Sequence, residues 1–157
     1  MKDKVVVLLS AGLDSSTNLY IADKEDEVVL ALTFNYGQRA AVKEIEQSRK
    51  IASALMIPHK VVDVPFIKEF GKSSLTNSRG NIPQGSDVDI ESLSKSIETA
   101  KSVWVPNRNG IFLNIAAGFA EAMGAQCIVP GFNREEASTF PDNSYNFMQT
   151  VDRALSY

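Results

Sequence analysis

Cysteine and histidine are almost missing from this sequence. Its 157 residues include one cysteine, Cys127, and one histidine, His59. A single cysteine can form neither an internal disulfide nor a four-cysteine zinc site, and this composition is typical of proteins in a reducing compartment. We therefore expect a cytoplasmic protein. We also expect both residues to be structural, because Cys127 lies inside an apolar run and His59 directly precedes a predicted strand.

The sequence also lacks an excess of positive charge and a long hydrophobic run. The formal net charge is -3, so no overall basic field is available to hold a nucleic acid backbone. No segment reaches the roughly 20 apolar residues of a membrane-spanning helix. With 44% apolar residues, the chain can bury a core as one domain over residues 1–157. The composition therefore predicts a soluble domain without nucleic acid or membrane partners.

Strand-like and helix-like segments alternate along most of the chain. Residues 5–9 and 28–34 are continuous apolar runs, which are typical of strands buried on both faces of a parallel sheet. Further predicted strands cover residues 60–64, 103–105 and 126–129, and predicted helices begin near residue 14 and cover residues 39–56, 109–123 and 145–155. Right-handed crossovers connect strands and helices that alternate in this way. We therefore predict an α/β fold, with an open five-stranded parallel sheet and helices on both faces.

A mobile loop insertion is expected around residues 66–101. This segment carries Gly71, Gly80, Pro83 and Gly85 among many serine and asparagine residues. Long segments of this kind are either functional loops, such as lids, or tolerated surface loops. The sequence leaves both interpretations open.

The strongest local motif is Ser10-Ala11-Gly12-Leu13-Asp14-Ser15, between the first predicted strand and the first predicted helix. Open α/β sheets bind ligands at this end of a strand. Main-chain amides and the positive end of the helix dipole can bind a phosphate there without a lysine, and two serine hydroxyls add donors. The chain has neither a G-x-x-x-x-G-K-[ST] nor a G-x-G-x-x-G motif. A turn that is merely rich in small residues is the alternative.

The motif resembles the PP-loop of ATP pyrophosphatases, whose usual pattern is Ser-Gly-Gly-x-Asp-Ser. Ala11 is the departure. Because alanine tolerates a positive φ poorly, we expect a strained or reshaped loop if this position adopts that conformation. The resemblance implies a Rossmann-like fold of the adenine nucleotide alpha hydrolase type, with ATP and Mg²⁺ as cofactors. Asp14 is then either a helix cap or a ligand of Mg²⁺.

Three further segments lie at strand ends or before the apolar helix, so we expect them to line one cleft with the loop. They are Phe34-Asn35-Tyr36-Gly37-Gln38-Arg39, Val105-Pro106-Asn107-Arg108-Asn109, and the stretch from Gly131-Phe132-Asn133-Arg134 through Ser138-Thr139-Phe140-Pro141-Asp142. In combination with the loop they resemble the 7-cyano-7-deazaguanine synthase family. Two departures are Asn35 and the run Arg134-Glu135-Glu136, where other residues are common in the family.

The family's zinc site has no counterpart in these residues. Family members continue into a C-terminal segment with four cysteines that bind a structural zinc, whereas this sequence has only Cys127. The resemblance therefore implies either a truncated chain or a shortened relative. Because such zinc sites contribute to folding and not directly to the reaction, we expect the cleft to be retained.

The resemblance implies a nucleotide site and a substrate site. The catalytic candidates are Ser10, Asp14, Ser15 and Arg108. The ATP-binding candidates are Leu9, Ser10, Ala11, Gly12, Leu13, Asp14, Ser15, Ser16, Phe34, Tyr36, Gln38, Arg39, Arg108, Asn109 and Gly131. The substrate-binding candidates are Asn133, Ser138, Phe140, Pro141 and Asp142. Surface salt bridges for the two arginines, a turn role for Asp142, and simple packing for Tyr36 and Trp104 remain alternatives.

By resemblance, the expected activity is that of an ATP-dependent carbon–nitrogen ligase in queuosine biosynthesis. It would convert 7-carboxy-7-deazaguanine and ammonia to 7-cyano-7-deazaguanine through an acyl-adenylate and an amide. A homodimer is compatible with this assignment. One alternative is another PP-loop ATP pyrophosphatase, either an amidating ligase or a tRNA thiolase. The other is a non-catalytic nucleotide-binding module. The acidic net charge and the Phe140-Pro141-Asp142 segment favour the synthase.

Overall fold

The computed structural model describes residues 2–70, 73, 75–76 and 102–156. Its strands and longer helices are β1 Lys4–Leu8, α1 Leu13–Glu25, β2 Glu27–Asn35, α2 Ala41–Ala54, β3 His59–Asp63, α3 Arg108–Met123, β4 Cys127–Val129 and α4 Tyr145–Leu155. Short 3-10 helices cover Pro65–Phe70, Glu136–Ser138 and Pro141–Asn143. None of the helices in the described ranges has both the length and the apolar character needed to span a bilayer.

The strands form one parallel sheet in the order β3-β2-β1-β4. β1 lies inside the sheet, between β2 and β4. The chain first moves outward from β1 to β2 and β3, and it then crosses to the opposite side of β1 to form β4. The carboxyl end of β1 therefore lies at the point where the strand order reverses, which is where open α/β sheets bind their ligands.

Buried side chains cover both faces of the sheet. On one face, Val5 of β1 packs with Leu19 of α1. On the other face, Val6 of β1 and Phe34 of β2 pack beneath α3, where the Phe34 and Phe112 rings stack with centroids 4.1 Å apart. Alternate residues of β1 thus face opposite layers, as a strand buried on both sides requires.

The predicted α/β class and parallel sheet are confirmed, but the predicted fifth strand is wrong. The described residues contain four paired strands. Ser102 and Val103 are helical, and Trp104 and Val105 belong to no strand of that sheet. Val105 is 5% exposed and packs into the cluster beneath α3. Its side chain therefore covers a face of the sheet, and Pro106 after it has no N–H to donate to a strand ladder.

Two other expectations concern the chain outside this core. Most of the predicted insertion at 66–101 lies outside the described residues, and its described beginning is the 3-10 helix Pro65–Phe70. The interpretation of Cys127 as a core residue is wrong, because the residue is exposed on β4. Within the described ranges β4 pairs only with β1, so its other edge does not bury the cysteine.

The packing of α1 predicts different effects for two leucines of that helix. Leu19 is 0% exposed and Leu13 is 84% exposed. We expect Leu19→Ala to lower the free energy of unfolding by about 3 kcal/mol, because it removes buried methyl groups and leaves a cavity. Leu13→Ala, the matched control, should change it by less than about 0.5 kcal/mol. Urea unfolding followed by circular dichroism measures both, and equal losses would contradict the orientation of α1.

Candidate active site

The loop between β1 and α1 contains a backbone conformation that is unusual for its sequence. Ala11 has a φ of 60°, whereas Gly12, the N-cap of α1, has a φ of -72°. The positive φ considered for Ala11 is therefore present, and the alanine adopts it instead of the glycine. A left-handed conformation costs an L-residue roughly 1–2 kcal/mol, so the surrounding contacts must hold the loop in this shape.

The hydroxyls of Ser10 and Ser15 close this loop. Ser15 Oγ donates to the Gly12 carbonyl at 3.2 Å and accepts from the Ser10 N–H at 3.2 Å. Because the Ser15 hydrogen is directed at a carbonyl, Ser10 Oγ is the donor in the 3.0 Å contact between the two hydroxyls. Both predicted phosphate donors thus shape the loop in this structure. A hydroxyl hydrogen rotates readily, so each can also turn towards a phosphate.

The first turn of α1 leaves main-chain donors for a ligand. Gly12 offers no side-chain cap, and the hydrogen bonding of the helix begins with the Ser16 N–H, which donates to the Gly12 carbonyl at 3.0 Å. Among the described residues, no hydrogen bond uses the amide of Leu13, Asp14 or Ser15. Such amides, aligned with the positive end of the helix dipole, can bind an anion.

The carbonyl of Leu9, the residue before the loop, accepts hydrogen bonds from two hydroxyls. Thr33 Oγ1 donates to the Leu9 carbonyl at 2.6 Å, and Ser48 Oγ donates to the same carbonyl at 3.3 Å. His59 Nε2 lies 2.8 Å from Thr33 Oγ1. Since threonine has already given its hydrogen to Leu9, the imidazole is the donor. Burial lowers the pKa of His59, and the charge of Arg49 lowers it further, which favours the neutral ring in this supporting position.

The loop that follows β4 lies against the phosphate loop. A Cβ added to Gly131 would be 3.0 Å from Ser15 Cβ and 3.2 Å from Ser15 Cα. Because these distances are tighter than ordinary Cβ contacts, a larger residue at position 131 would require Ser15 or the loop to shift by a few tenths of an ångström. Asn133 Nδ2 donates to Asp14 Oδ2 at 2.9 Å, and Asn18 Nδ2 donates to the Pro130 carbonyl at 2.8 Å. Asn133, a predicted substrate contact, therefore orients the Asp14 carboxylate in this structure.

Most of the predicted ATP-binding residues line one cavity of about 370 Å³, which we call the loop cavity. The predicted residues that line it are Leu9, Ser10, Gly12, Asp14, Ser15, Phe34, Tyr36, Gln38, Arg108, Asn109 and Gly131. Four other described candidates, Ala11, Leu13, Ser16 and Arg39, are not part of its lining. Phe132 and Glu136, which lie in a segment expected at the cleft but were not assigned a role, also line it, and sequence reasoning missed several further residues, among them Thr33, Glu44, Phe112 and Asn143.

The side-chain amide of Gln38 forms hydrogen bonds at the turn that follows β2. Its side-chain oxygen accepts from the Tyr36 N–H at 3.0 Å. Its amide nitrogen donates to the Phe34 carbonyl at 3.0 Å and to Glu44 Oε2 at 2.7 Å. Gly37 lies between these partners with a φ of 77°. In this arrangement Gln38 shapes the turn that follows β2, and its bonds place Tyr36 at the cavity wall.

Arg108 begins α3 and is held on the loop cavity by Tyr36. Its guanidinium lies 5.8 Å from the centre of the Tyr36 ring, and its Nη1 donates to the tyrosine hydroxyl at 3.4 Å. Nε donates to Asn109 Oδ1 at 3.3 Å. Burial raises the pKa of Tyr36, and the charge of Arg108 partly offsets this effect. These contacts orient a cation that can pair with phosphate oxygens.

A second cavity of about 260 Å³ carries the remaining recognition groups, and we call it the aromatic cavity. Trp104 and Phe140 stack in its wall, with ring centroids 6.0 Å apart and an interplanar angle of 7°. Asp142 also lines it. Burial raises the pKa of the Asp142 carboxyl, while the nearby Arg108 charge lowers it in part. Flat rings beside a carboxylate suit a planar heterocycle that carries N–H donors.

Three predicted substrate contacts, namely Asn133, Ser138 and Pro141, lie outside the aromatic cavity. Ser138 and Pro141 are exposed and do not contribute to its lining. The Ser138 hydroxyl donates to the Glu135 carbonyl at 2.8 Å and so stabilises its own turn. A larger groove of about 720 Å³ between α3, β4 and α4 contains none of the predicted site residues.

The loop cavity and the aromatic cavity share a wall. The residues that line both are Leu75, Arg108, Glu136 and Asn143. Groups bound in the two cavities would therefore meet beside Arg108. The arrangement suits a reaction between a phosphate-bearing ligand and a planar one.

Comparison with known proteins identifies the relatives of this chain. A family described as queuosine biosynthesis protein QueC matches residues 4–157. The 7-cyano-7-deazaguanine synthase of Bdellovibrio bacteriovorus is 63% identical over 155 residues, with 98% of this chain and 67% of the relative covered. That of Carboxydothermus hydrogenoformans is 50% identical, with 99% of this chain and 71% of the relative covered. The chain thus spans about two thirds of the length of these curated relatives.

A solved structure supports the fold alone. The crystal structure of a predicted subunit of tRNA methyltransferase from Methanocaldococcus jannaschii superposes with a TM-score of 0.54 at 18% identity. The match covers 98% of this chain and 64% of that one. At this level of identity the likeness concerns the arrangement of strands and helices.

The left-handed Ala11 predicts that glycine is preferred at this position. We expect Ala11→Gly to raise the free energy of unfolding by up to about 1 kcal/mol, because relief of the positive φ exceeds the entropy that glycine adds to the unfolded chain. Met56→Gly is the positive control. Met56 has a similar φ of 57° and is 91% exposed, so its substitution relieves a positive φ without removing buried contacts. Urea titrations compare the two. A gain at Met56 together with a loss at Ala11 would contradict the conformation of the loop.

Proposed function

This chain belongs to the queuosine biosynthesis protein QueC family, and on that premise we propose that it converts 7-carboxy-7-deazaguanine to 7-cyano-7-deazaguanine in the cytoplasm. The reaction would use ATP and ammonia. The curated relatives carry the name 7-cyano-7-deazaguanine synthase at up to 63% identity. The observation that carries the proposal is the wall shared by the loop cavity and the aromatic cavity, with Arg108 in it.

The chemical difficulty of this conversion explains why a nucleotide site must adjoin a heterocycle site. A carboxylate resists attack by ammonia because it is anionic and its oxide is a poor leaving group. Transfer of AMP to the carboxylate removes both obstacles and releases pyrophosphate. Ammonia then displaces AMP to give the amide, and a second ATP activates the amide oxygen so that elimination leaves the nitrile. The first activation requires the acid to meet the α-phosphate of ATP, and the second requires the amide to meet the α-phosphate of another ATP.

The loop cavity and the adjoining first turn of α1 offer the groups that would bind the triphosphate. The amides of Leu13, Asp14 and Ser15 would donate to phosphate oxygens, and Arg108 would stabilise the charge that develops as pyrophosphate leaves. These donors are held in place before the ligand binds. Preorganised donors of this kind are the main source of electrostatic stabilisation of the transition state.

The donor set also fits a magnesium ion. Asp14 lines the loop cavity, and Asn133 fixes the orientation of its carboxylate at 2.9 Å. The described residues contain no cluster of three or more histidine, cysteine or acidic side chains around a metal position. Mg²⁺ is commonly held by one or two carboxylates together with substrate phosphates. Asp14 would hold the ion, which would supply charge neutralisation of the phosphates when bound.

The aromatic cavity would bind the deazapurine. The stacked Trp104 and Phe140 rings provide an apolar surface for a flat ring system. The Asp142 carboxyl would accept hydrogen bonds from the amino and ring N–H groups of a guanine-like base. Its main-chain carbonyl accepts from Asn109 Nδ2 at 3.3 Å, so the residue is tied to the same helix as Arg108.

An assay of AMP and nitrile formation tests this proposal. The protein is supplied with 7-carboxy-7-deazaguanine, ammonium and MgATP. We expect Arg108→Ala to lower kcat/KM by about a hundredfold or more, because it removes a cation from the developing negative charge. Arg153→Ala is the control, since Arg153 is exposed on α4 and its side chain donates to the Gln149 carbonyl. ATP binding without AMP formation by the unmodified chain would overturn the proposal, as would full activity of Arg108→Ala.

The contact between Gly131 and Ser15 predicts a selective loss of nucleotide binding. We expect Gly131→Ala to raise the Kd for ATP by about tenfold or more, because the added methyl group displaces the start of α1 and misaligns its amides. Gly118→Ala is the control, since a Cβ there would meet nothing within 4 Å. This control should have an unchanged Kd for ATP, and its free energy of unfolding should be higher by about 1 kcal/mol. Isothermal titration calorimetry measures the affinities, and equal Kd values for the two variants would contradict the contact.

A further inference from the structure

Glu136 lies at the site, but the proposed reaction assigns it no role. Its side chain lines both the loop cavity and the aromatic cavity. Arg108 is the other charged residue in the shared wall. A cation and a carboxylate therefore stand at the place where the two bound substrates would meet.

Two buried amides fix the Glu136 carboxylate. Asn143 Nδ2 donates to Glu136 Oε2 at 2.7 Å. Asn143 is 7% exposed, and its own side-chain oxygen accepts from Asn109 Nδ2 at 2.7 Å. Asn109, which follows Arg108 in α3, is 6% exposed. The carboxylate is thus positioned through a chain of hydrogen bonds that ends beside the arginine.

The second oxygen of this carboxylate has no hydrogen-bond partner within the described part of the chain. Among the hydrogen bonds and ion pairs of the described residues, none involves Glu136 Oε1. Glu135, the preceding residue, is also exposed but lines neither cavity. Of these two neighbouring glutamates, only Glu136 therefore lies in the shared wall.

An anionic group at such a position would assist amide formation. Ammonia in neutral solution is mostly ammonium, which has no lone pair for attack. A carboxylate binds ammonium through a charge-assisted hydrogen bond and can accept a proton from it. Arg108 cannot do this, because guanidinium is a donor only and stays charged.

We infer that Glu136 binds ammonium at the shared wall and takes a proton from it as the amide forms. In this step the nitrogen forms a bond to the acyl carbon, and the bond from that carbon to the AMP oxygen breaks with its electrons leaving on AMP. Ammonium loses two protons in becoming the amide NH₂ group. Glu136 accepts the first, and water takes the second. This inference rests on the proposed function, because it assigns the nitrogen-binding group of the same site.

Separate measurement of the two half-reactions tests the inference. In Glu136→Gln the side-chain oxygen can still accept from Asn143, but the negative charge is lost. We expect the KM for ammonium to rise by at least about tenfold, in keeping with the loss of a hydrogen bond to a charged group. Acid-dependent release of pyrophosphate, which precedes ammonia, should change by less than about twofold, because none of the donors to phosphate is altered. Glu135→Gln is the matched control and should leave both values unchanged.

The possible failures are distinguishable. An unchanged ammonium KM in an active Glu136→Gln variant overturns this inference alone. An equal loss of pyrophosphate release and of amide formation, with a normal circular dichroism spectrum, also overturns it, because the carboxylate would then act on the phosphate side. A wild-type chain that releases no pyrophosphate with the acid overturns the proposed function, and the inference falls with it.

Discussion

The main chain of Gly131 lies against the first turn of α1, and the rest of the site depends on this contact. A Cβ at Gly131 would be 3.0 Å from Ser15 Cβ, so the loop after β4 and the phosphate loop are in close contact, and a side chain between them would force one of them to shift. Asn133 adds a hydrogen bond to Asp14, and Asn18 adds one to the Pro130 carbonyl. Because β1 lies between β2 and β4, this contact closes the site on one side, while the turn after β2 closes it on the other.

The loop cavity and the aromatic cavity suit different ligands, and the wall between them carries charged side chains. Main-chain amides suit phosphate because they carry partial positive charge in fixed positions. Stacked rings and the Asp142 carboxyl suit a planar heterocycle. Arg108 and Glu136 line both cavities and have opposite charges. An arrangement of this kind can stabilise a leaving phosphate and receive a cationic nitrogen source within one small volume.

Several errors of sequence reasoning have one origin, which is that a local pattern does not reveal what a side chain contacts. Val105 was assigned to a strand because it lies in a short apolar run, yet it packs on a face of the sheet. Cys127 was assigned to the core, yet it is exposed on β4. The ligand contacts predicted for Asn133 and Gln38 stay predictions, and the structure adds that their amides bond to Asp14 and to the turn after β2. Glu136 lies in a segment expected at the cleft but is not among the predicted site residues, although it lines both cavities.

The sequence by itself determined the alternation of strands and helices, the phosphate loop and the family. These features depend on neighbouring residues: apolar runs define β1 and β2, and Ser10 to Ser15 contain the loop motif in one stretch. The tertiary structure alone decided which hydroxyls close the loop, that Ala11 and not Gly12 has the positive φ, and that Arg108 and Glu136 share a wall. Those features arise from contacts between residues far apart in the chain, and such contacts follow from packing in three dimensions, which no local pattern encodes.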